Sequence, residues 1–265
     1  LCWIIPSFIM RVALVWHAHE IIPSTVRGIL RQHVYTVFAK KVICVGPAVK
    51  RQIEANWLVF KRDTLVVMNF WPGEMLQLPP KSNNKKIKKI GFVGRLGDPA
   101  KGLDMFCDVA IDVSAACKKR HKMVQFEIFG DGSVDDLNTF KRKISGDFSS
   151  NFKFLGFIDN IKEIYGGMDI LVICSQMEAF PRIIMEAASF GVPCVARNVG
   201  GIPDMINHLE TGALYASKSE AVEFIMGFLE DEKSRCAAGA ASYDYLSRLT
   251  DKSVNLEAYK SAICG

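Results

Sequence analysis

Two carboxylates, two cations and a few glycine turns carry the chemistry this sequence can offer. The densest segment runs from Ser175 to Asp204 and reads SQMEAFPRIIMEAASFGVPCVARNVGGIPD. Glu178 sits where an apolar run, Ile170–Cys174, gives out. Pro181 then stands at a first helical position, where its missing N–H costs nothing. The helix expected over Arg182–Phe190 carries Glu186 in its second turn, so a loop carboxylate and a helix carboxylate are placed to face one cleft. Each carboxylate can accept two hydrogen bonds from vicinal hydroxyls, which suits a sugar or a ribose. The backbone N–H groups of Arg182 and Ile183 leave the helix N-terminus and suit a phosphate. Spacing alone is worth little, because thirteen glutamates supply about 0.6 such pairs by chance. Placement gives the pair its weight: it spans a strand exit and a helix start, and Gly191-Val192-Pro193 and a further apolar run follow.

Three other turns follow apolar runs. After Ile90–Val93 come Gly94-Arg95-Leu96 and then Lys101-Gly102, which opens a helix. Arg95 and Lys101, with the N–H groups of that helix start, suit a diphosphate; two surface charges on a loop are the alternative. Gly130-Asp131-Gly132 is a tight turn that lets backbone approach a ligand. Gly156-Phe157-Ile158-Asp159 places Asp159 as a helix cap and leaves Phe157 either to flank a nucleobase or to fill the core. Asn198 to Asp204 adds a glycine-rich loop leading into a helix, another ligand-facing turn.

The elements that must position these groups alternate. Apolar runs at Val12–Trp16, Val42–Val45, Leu65–Met68, Ile90–Val93, Phe126–Phe129, Phe152–Leu155, Ile170–Cys174 and Pro193–Ala196 lack in/out alternation. That is the mark of parallel strands covered on both faces. Helical patterns lie between them, at Ser24–Phe38, Ala48–Asn56, Gly102–His121, Val134–Ile144, Ile158–Tyr165 and Arg182–Phe190. The class is therefore α/β, with doubly wound layers. Ser219–Leu229, Glu232–Leu249 and Lys252–Cys264 read as helices only. A break at Trp71–Lys89, rich in proline, glycine and lysine, reads as a linker, with an anionic-lipid or phosphate patch as the alternative. The expected boundaries are a partial N-terminal domain over 1–80, a complete Rossmann-like domain over 81–247 and a final helix over 248–265.

Composition narrows the class further. An apolar fraction of 49% with 23% charged residues is globular rather than disordered, and a net charge of +5 is too mild and diffuse to argue for nucleic acid. Leu1–Trp16 is apolar but carries Pro6 and Arg11 and falls short of the roughly 20 residues of a spanning helix. With no basic segment before it, it reads as core, and a missing front portion is expected from a chain opening on Leu1. None of the eight cysteines pairs at CxxC spacing or sits in a zinc-type cluster. Free thiols in a reducing, cytoplasmic compartment are expected.

In combination, VGRL…KG, FGDG, FLGF, S-x-x-EAFPRIIMEAASFGVPCVA and NVGGIPDMI resemble the C-terminal half of family-4 retaining glycosyltransferases of the GT-B fold. The stretches VWHAHEI and VICVGPAVKRQI resemble the later part of that family's N-terminal domain. The resemblance implies a hexose moved from a UDP- or GDP-sugar to a glycan, lipid-linked or other acceptor with retention, as in cell-surface polysaccharide synthesis. It implies no metal, and no Asp-x-Asp triplet follows a strand to hold one; the nucleotide sugar is a substrate, not a cofactor. The expected place is the cytoplasm, extending to the membrane surface.

Residue by residue, the resemblance has Arg95 and Lys101 neutralise the diphosphate leaving group. It gives Glu178 to the hydroxyls of the transferred sugar and Glu186 to the ribose. Phe180, Pro181, Arg182 and Ile183 line the donor, and Gly130 and Phe157 lie near the base. His19 matches the family's cleft histidine, with His17 two residues earlier and within a strand. Pro181 stands where many relatives have glycine, Gly46 where serine is usual, and Asn69-Phe70-Trp71 where an Asn-Gly turn is usual. A non-catalytic or truncated nucleotide-sugar-binding relative is the rival expectation, and a GT-B epimerase or phosphorylase the third.

Overall fold

The computed structural model describes residues 14–22, 25–55, 63–70 and 86–264. The apolar opening before residue 14, Cys2, Trp71 and the break up to residue 85 lie outside the described residues.

A three-stranded parallel sheet comes first, in the order β1 (Val15–Ala18), β2 (Lys41–Cys44), β3 (Asp63–Val66). Helices α1 (Val26–Phe38) and α2 (Pro47–Ala55) make its crossovers. Thr25 starts α1 by accepting from the Gly28 N–H at 3.2 Å, the usual service of a threonine cap.

The second sheet holds six parallel strands in the order β6-β5-β4-β7-β8-β9. They are β4 (Ile87–Val93), β5 (Met123–Phe129), β6 (Phe152–Gly156), β7 (Ile170–Ile173), β8 (Cys194–Arg197) and β9 (Gly212–Tyr215). Helices α3 (Leu103–Lys119), α4 (Val134–Lys143), α5 (Ile161–Tyr165) and α6 (Arg182–Ser189) connect them; α7 (Lys218–Glu230), α8 (Glu232–Leu249) and α9 (Lys252–Cys264) follow. All four residues of β7 are buried, as a central strand covered on both faces requires. The chain order reverses between β4 and β7, which pair through Ile90–Ile170 and Gly91–Leu171. Ligands of doubly wound sheets bind beyond the strand ends at such a reversal.

One apolar cluster joins the two sheets. Val42, Val45, Val49 and Ile53 of the first pack with Phe180, Ile184, Ile202 and Ile206 of the second. Another lies on the opposite face of the larger sheet, around Phe92, Phe106, Phe126 and Tyr215. The last helix, α9, lies on the smaller sheet: Ala262 packs with Ile43 and Val67, and Asn255 Oδ1 accepts from the Met68 N–H at 2.9 Å.

Five local expectations change. Strand β9 was not foreseen, because Gly-Ala-Leu-Tyr is short and has no β-branched residue. Lys88 and Lys89 belong to β4 rather than a linker, and acids near their ammonium groups explain why a strand tolerates them: Glu232 at 3.4 Å and Glu127 at 2.6 Å. The cap of α5 is Asn160, which accepts from the Lys162 N–H at 3.0 Å, so Asp159 stands one residue too early. Pro181 is extended at φ −71° and ψ 117°, making it the cap of α6 rather than its first helical residue. The glycine-rich loop at Asn198 leads only into a single 3₁₀ turn, Ile202–Asp204.

Candidate active site at the strand reversal

The loops leaving β4 and β7 meet at the reversal. Past β4, Asp98 caps a 3₁₀ turn, Pro99–Lys101, by accepting from the Ala100 N–H at 2.9 Å. Gly102 then takes φ +72°, and a Cβ there would sit 2.2 Å from the Cys174 carbonyl oxygen, so only glycine lets the two loops touch. From the β7 side, the Gln176 N–H donates to the Ala100 carbonyl at 2.8 Å and its side chain to the Pro99 carbonyl at 3.1 Å.

This stitching brings Lys101 and Glu178 together. Lys101 Nζ donates to Glu178 Oε1 at 2.7 Å, and Ser175 Oγ donates to the same oxygen at 2.8 Å. The Glu178 side chain is 13% exposed and that of Lys101 34%. The lysine therefore still reaches solvent, and an ammonium has two further donors for another acceptor. Ser175 is a partner that sequence reasoning missed; its place three residues before Glu178 in a strand-exit loop was the available signal.

Glu186 has a separate set of partners. Its Oε2 accepts from the Tyr165 hydroxyl at 2.9 Å, and Arg182 lies 3.8 Å from its other oxygen. Burial, and then the Glu186 charge, push the Tyr165 phenol well above its usual range, so it stays a donor. No hydrogen bond joins Glu178 to Glu186 among the described residues. Arg95 is the most open of the group: its side chain is 72% exposed, 3.8 Å from Asp131. A cavity of about 360 Å³ between α3 and α4 adjoins Gly102 and Gln176 but is lined by none of Arg95, Lys101, Glu178 and Glu186.

Glycines shape the rest of the rim. Gly130 takes φ +143° and donates to the Gly156 carbonyl at 2.8 Å, and a Cβ on it would meet the Gly94 carbonyl at 2.0 Å. Phe157, just beyond Gly156, is 71% exposed, so it is not the core aromatic that one reading allowed. Phe180 is buried, and a Cβ on Gly46 would lie 3.2 Å from its ring. Ile183 is half-buried against the core that joins the sheets.

His19 follows β1 and is exposed, whereas His17 lies within the strand. Their ring centroids are 4.0 Å apart, and Tyr259 of α9 lies 5.8 Å from His17. Burial first, and then the charge of His19, lower the His17 pKa. Buried thiols are held protonated: desolvation raises Cys174 to about 11 and Cys107 and Cys194 to about 12, which argues against any of them as a nucleophile at neutral pH. Among the described residues, no helix is long and apolar enough to cross a membrane, and no group of three His, Cys, Asp or Glu side chains is arranged to hold a metal ion.

Known proteins agree with this architecture. The family described as Glycosyl transferases group 1 matches residues 87–231, and the chain belongs to it. Crystal structures with the same fold include Anabaena HepE in complex with UDP-glucose, with a TM-score of 0.81 at 23% identity over 97% of this chain and 74% of that one. The fold is thus the GT-B type of two Rossmann-like units. N-acetyl-alpha-D-glucosaminyl L-malate synthase of Bacillus anthracis is 43% identical over 61 residues, 23% of this chain and 16% of that enzyme. The gpi3 subunit of phosphatidylinositol N-acetylglucosaminyltransferase of Schizosaccharomyces pombe is 27% identical over 168 residues, 62% of this chain and 35% of that subunit. The chain therefore spans well under half the length of these two curated relatives.

Proposed function

We propose that this chain binds a nucleotide-diphosphate sugar at the β4/β7 reversal and serves a retaining, metal-independent hexosyl transfer. The observation that carries the reading is the Lys101–Glu178–Ser175 cluster, a cation and a hydrogen-bonded carboxylate held at the place where doubly wound sheets take ligands. UDP-glucose in the structurally similar HepE makes a UDP-sugar the first donor to try.

The family resemblance suggests a division of labour, and the hydrogen bonds described above are compatible with it. Lys101, with the exposed Arg95, neutralises the diphosphate as it departs and gains charge. Glu178, fixed by Lys101 and Ser175, keeps its second oxygen for hydroxyls of the transferred sugar. Glu186, steadied by Tyr165, serves the ribose diol. The start of α6 at Arg182 and Ile183 presents backbone donors to phosphate. Gly130 and Phe157 border the base, and His19 reaches the sugar from the smaller sheet. The acceptor is a glycan, a lipid-linked molecule or another acceptor, and the work is done in the cytoplasm, extending to the membrane surface.

Calorimetric titration with UDP-glucose and GDP-mannose in EDTA tests the reading. Saturable binding of one donor without added metal supports it. A folded protein that binds neither overturns it, and binding without transfer or slow donor hydrolysis would favour a non-catalytic relative.

A further inference from the structure

Helix α2 belongs to the smaller sheet, yet a residue of the larger one caps it. No acidic residue stands in the first turn of α2. Instead, Asp204 Oδ2 accepts from the Ala48 N–H at 2.9 Å, a bond spanning 156 positions in the chain. Both oxygens of Asp204 also accept from Arg51, at 2.9 and 3.0 Å. A carboxylate at this end of a helix satisfies an orphan donor and meets the positive end of the dipole. The Asp204 side chain is 16% exposed and that of Arg51 59%, so the backbone bond is the better shielded part of the contact.

Asp204 is joined to the loop that carries Glu178. Its N–H donates to the Gly201 carbonyl at 3.1 Å, and the Gly201 N–H donates to the Glu178 carbonyl at 2.8 Å. The fit is close: a Cβ on Gly201 would lie 1.8 Å from the Ala179 oxygen, and one on Gly200 2.2 Å from the Glu178 oxygen. Tyr245 steadies the turn from behind by donating to the Asp204 carbonyl at 3.1 Å. Three hydrogen bonds in series, Ala48 to Asp204, Asp204 to Gly201 and Gly201 to Glu178, thus link the smaller sheet to the backbone of Glu178.

We propose that Asp204 is a positioning residue, a cap supplied across the two sheets that holds the His19 side of the cleft in register with Glu178. Its effect on sugar recognition rests on the donor reading above; its effect on the Glu178 loop does not. Without the cap, the nucleotide half of the site persists, because Arg95, Lys101 and Glu186 all lie on the larger sheet, while the grip on the sugar slackens.

Amide hydrogen exchange and calorimetry on the full chain test this with Asp204→Ala, Asp204→Asn and Arg51→Ala. Asp204→Ala is expected to speed exchange at both Ala48 and Gly201, to weaken UDP-glucose about tenfold, or about 1.4 kcal/mol, and to change UDP less than about twofold. Asp204→Asn keeps an oxygen for the Ala48 N–H and is expected to restore both readouts, with Arg51→Ala nearly silent. Faster exchange at Ala48 with Gly201 unchanged would overturn the coupling, and equal losses for UDP and UDP-glucose would overturn the role in sugar recognition. If the unaltered chain binds neither ligand, the donor reading fails and the exchange at Gly201 alone decides the coupling.

Discussion

Lys101 and Glu178 stand 77 positions apart in the chain and meet at 2.7 Å, each delivered by the loop leaving one of the two strands that flank the reversal. The cation proposed to neutralise the diphosphate is thus tied to the carboxylate proposed to hold the sugar. Ser175 donates to the same oxygen, so that carboxylate oxygen is already satisfied and the pair is oriented.

Removing the cation separates the two halves of the donor. Lys101→Met is expected to weaken UDP about tenfold or more, in line with about 1.5–3 kcal/mol for hydrogen bonds to charged groups, and to flatten the salt dependence of binding. Calorimetry at low and high salt reads both effects, and unchanged UDP affinity would remove Lys101 from the diphosphate site.

Gly102→Ala tests the contact between the loops. Its φ of +72° and the 2.2 Å approach to the Cys174 carbonyl forbid a side chain without movement of backbone. Thermal unfolding is expected to show a loss of about 2 kcal/mol or more, together with weaker UDP binding. A neutral alanine would mean that the two loops are not locked as described.

His17 gives stability a pH dependence. Burial and the neighbouring His19 lower its pKa in the folded state below 6.5, so the unfolded chain binds the extra proton first as acid is added. Stability from this residue is present above about pH 6.5 and is lost as pH falls through the lowered folded value. Melting temperatures across pH 5 to 7.5 should fall on the acid side, and His17→Phe should flatten that fall. An unchanged slope would contradict the assignment.

At the opposite end of the sheet, Asp169 and Arg235 form a buried ion pair at 3.1 Å, with side chains 2% and 4% exposed. Asp169 also accepts from the Lys89 N–H at 2.9 Å. Asp169→Ala leaves the buried Arg235 guanidinium only its longer 3.9 Å contact with Glu232 and is expected to cost about 3–5 kcal/mol. Denaturant unfolding measures the loss, and UDP affinity of the folded fraction should not move.

Much of this fold was legible because buried parallel strands announce themselves: Ile170 to Cys174 is apolar without a break, and β7 is buried throughout. Strand β9 escaped because Gly-Ala-Leu-Tyr draws its burial from neighbours rather than from its own pattern. In the site, Glu178 and Glu186 could be read from their places at a strand exit and a helix start. Their partners could not be: Lys101 is fixed to Glu178 by loops distant in the chain, and Tyr165 reaches Glu186 from a different helix. The cap that Asp204 supplies to α2 was equally silent, since short-range capping rules look only a few residues away.

The most direct test of the nucleotide-sugar site is the ratio of UDP-glucose to UDP affinity, by calorimetry, in the unaltered chain and in Glu178→Ala. The site described here predicts saturable binding of both ligands by the unaltered chain, and a selective loss of about tenfold for UDP-glucose in the variant. Equal losses for the two ligands, or no binding of either by the folded, unaltered chain, would contradict it.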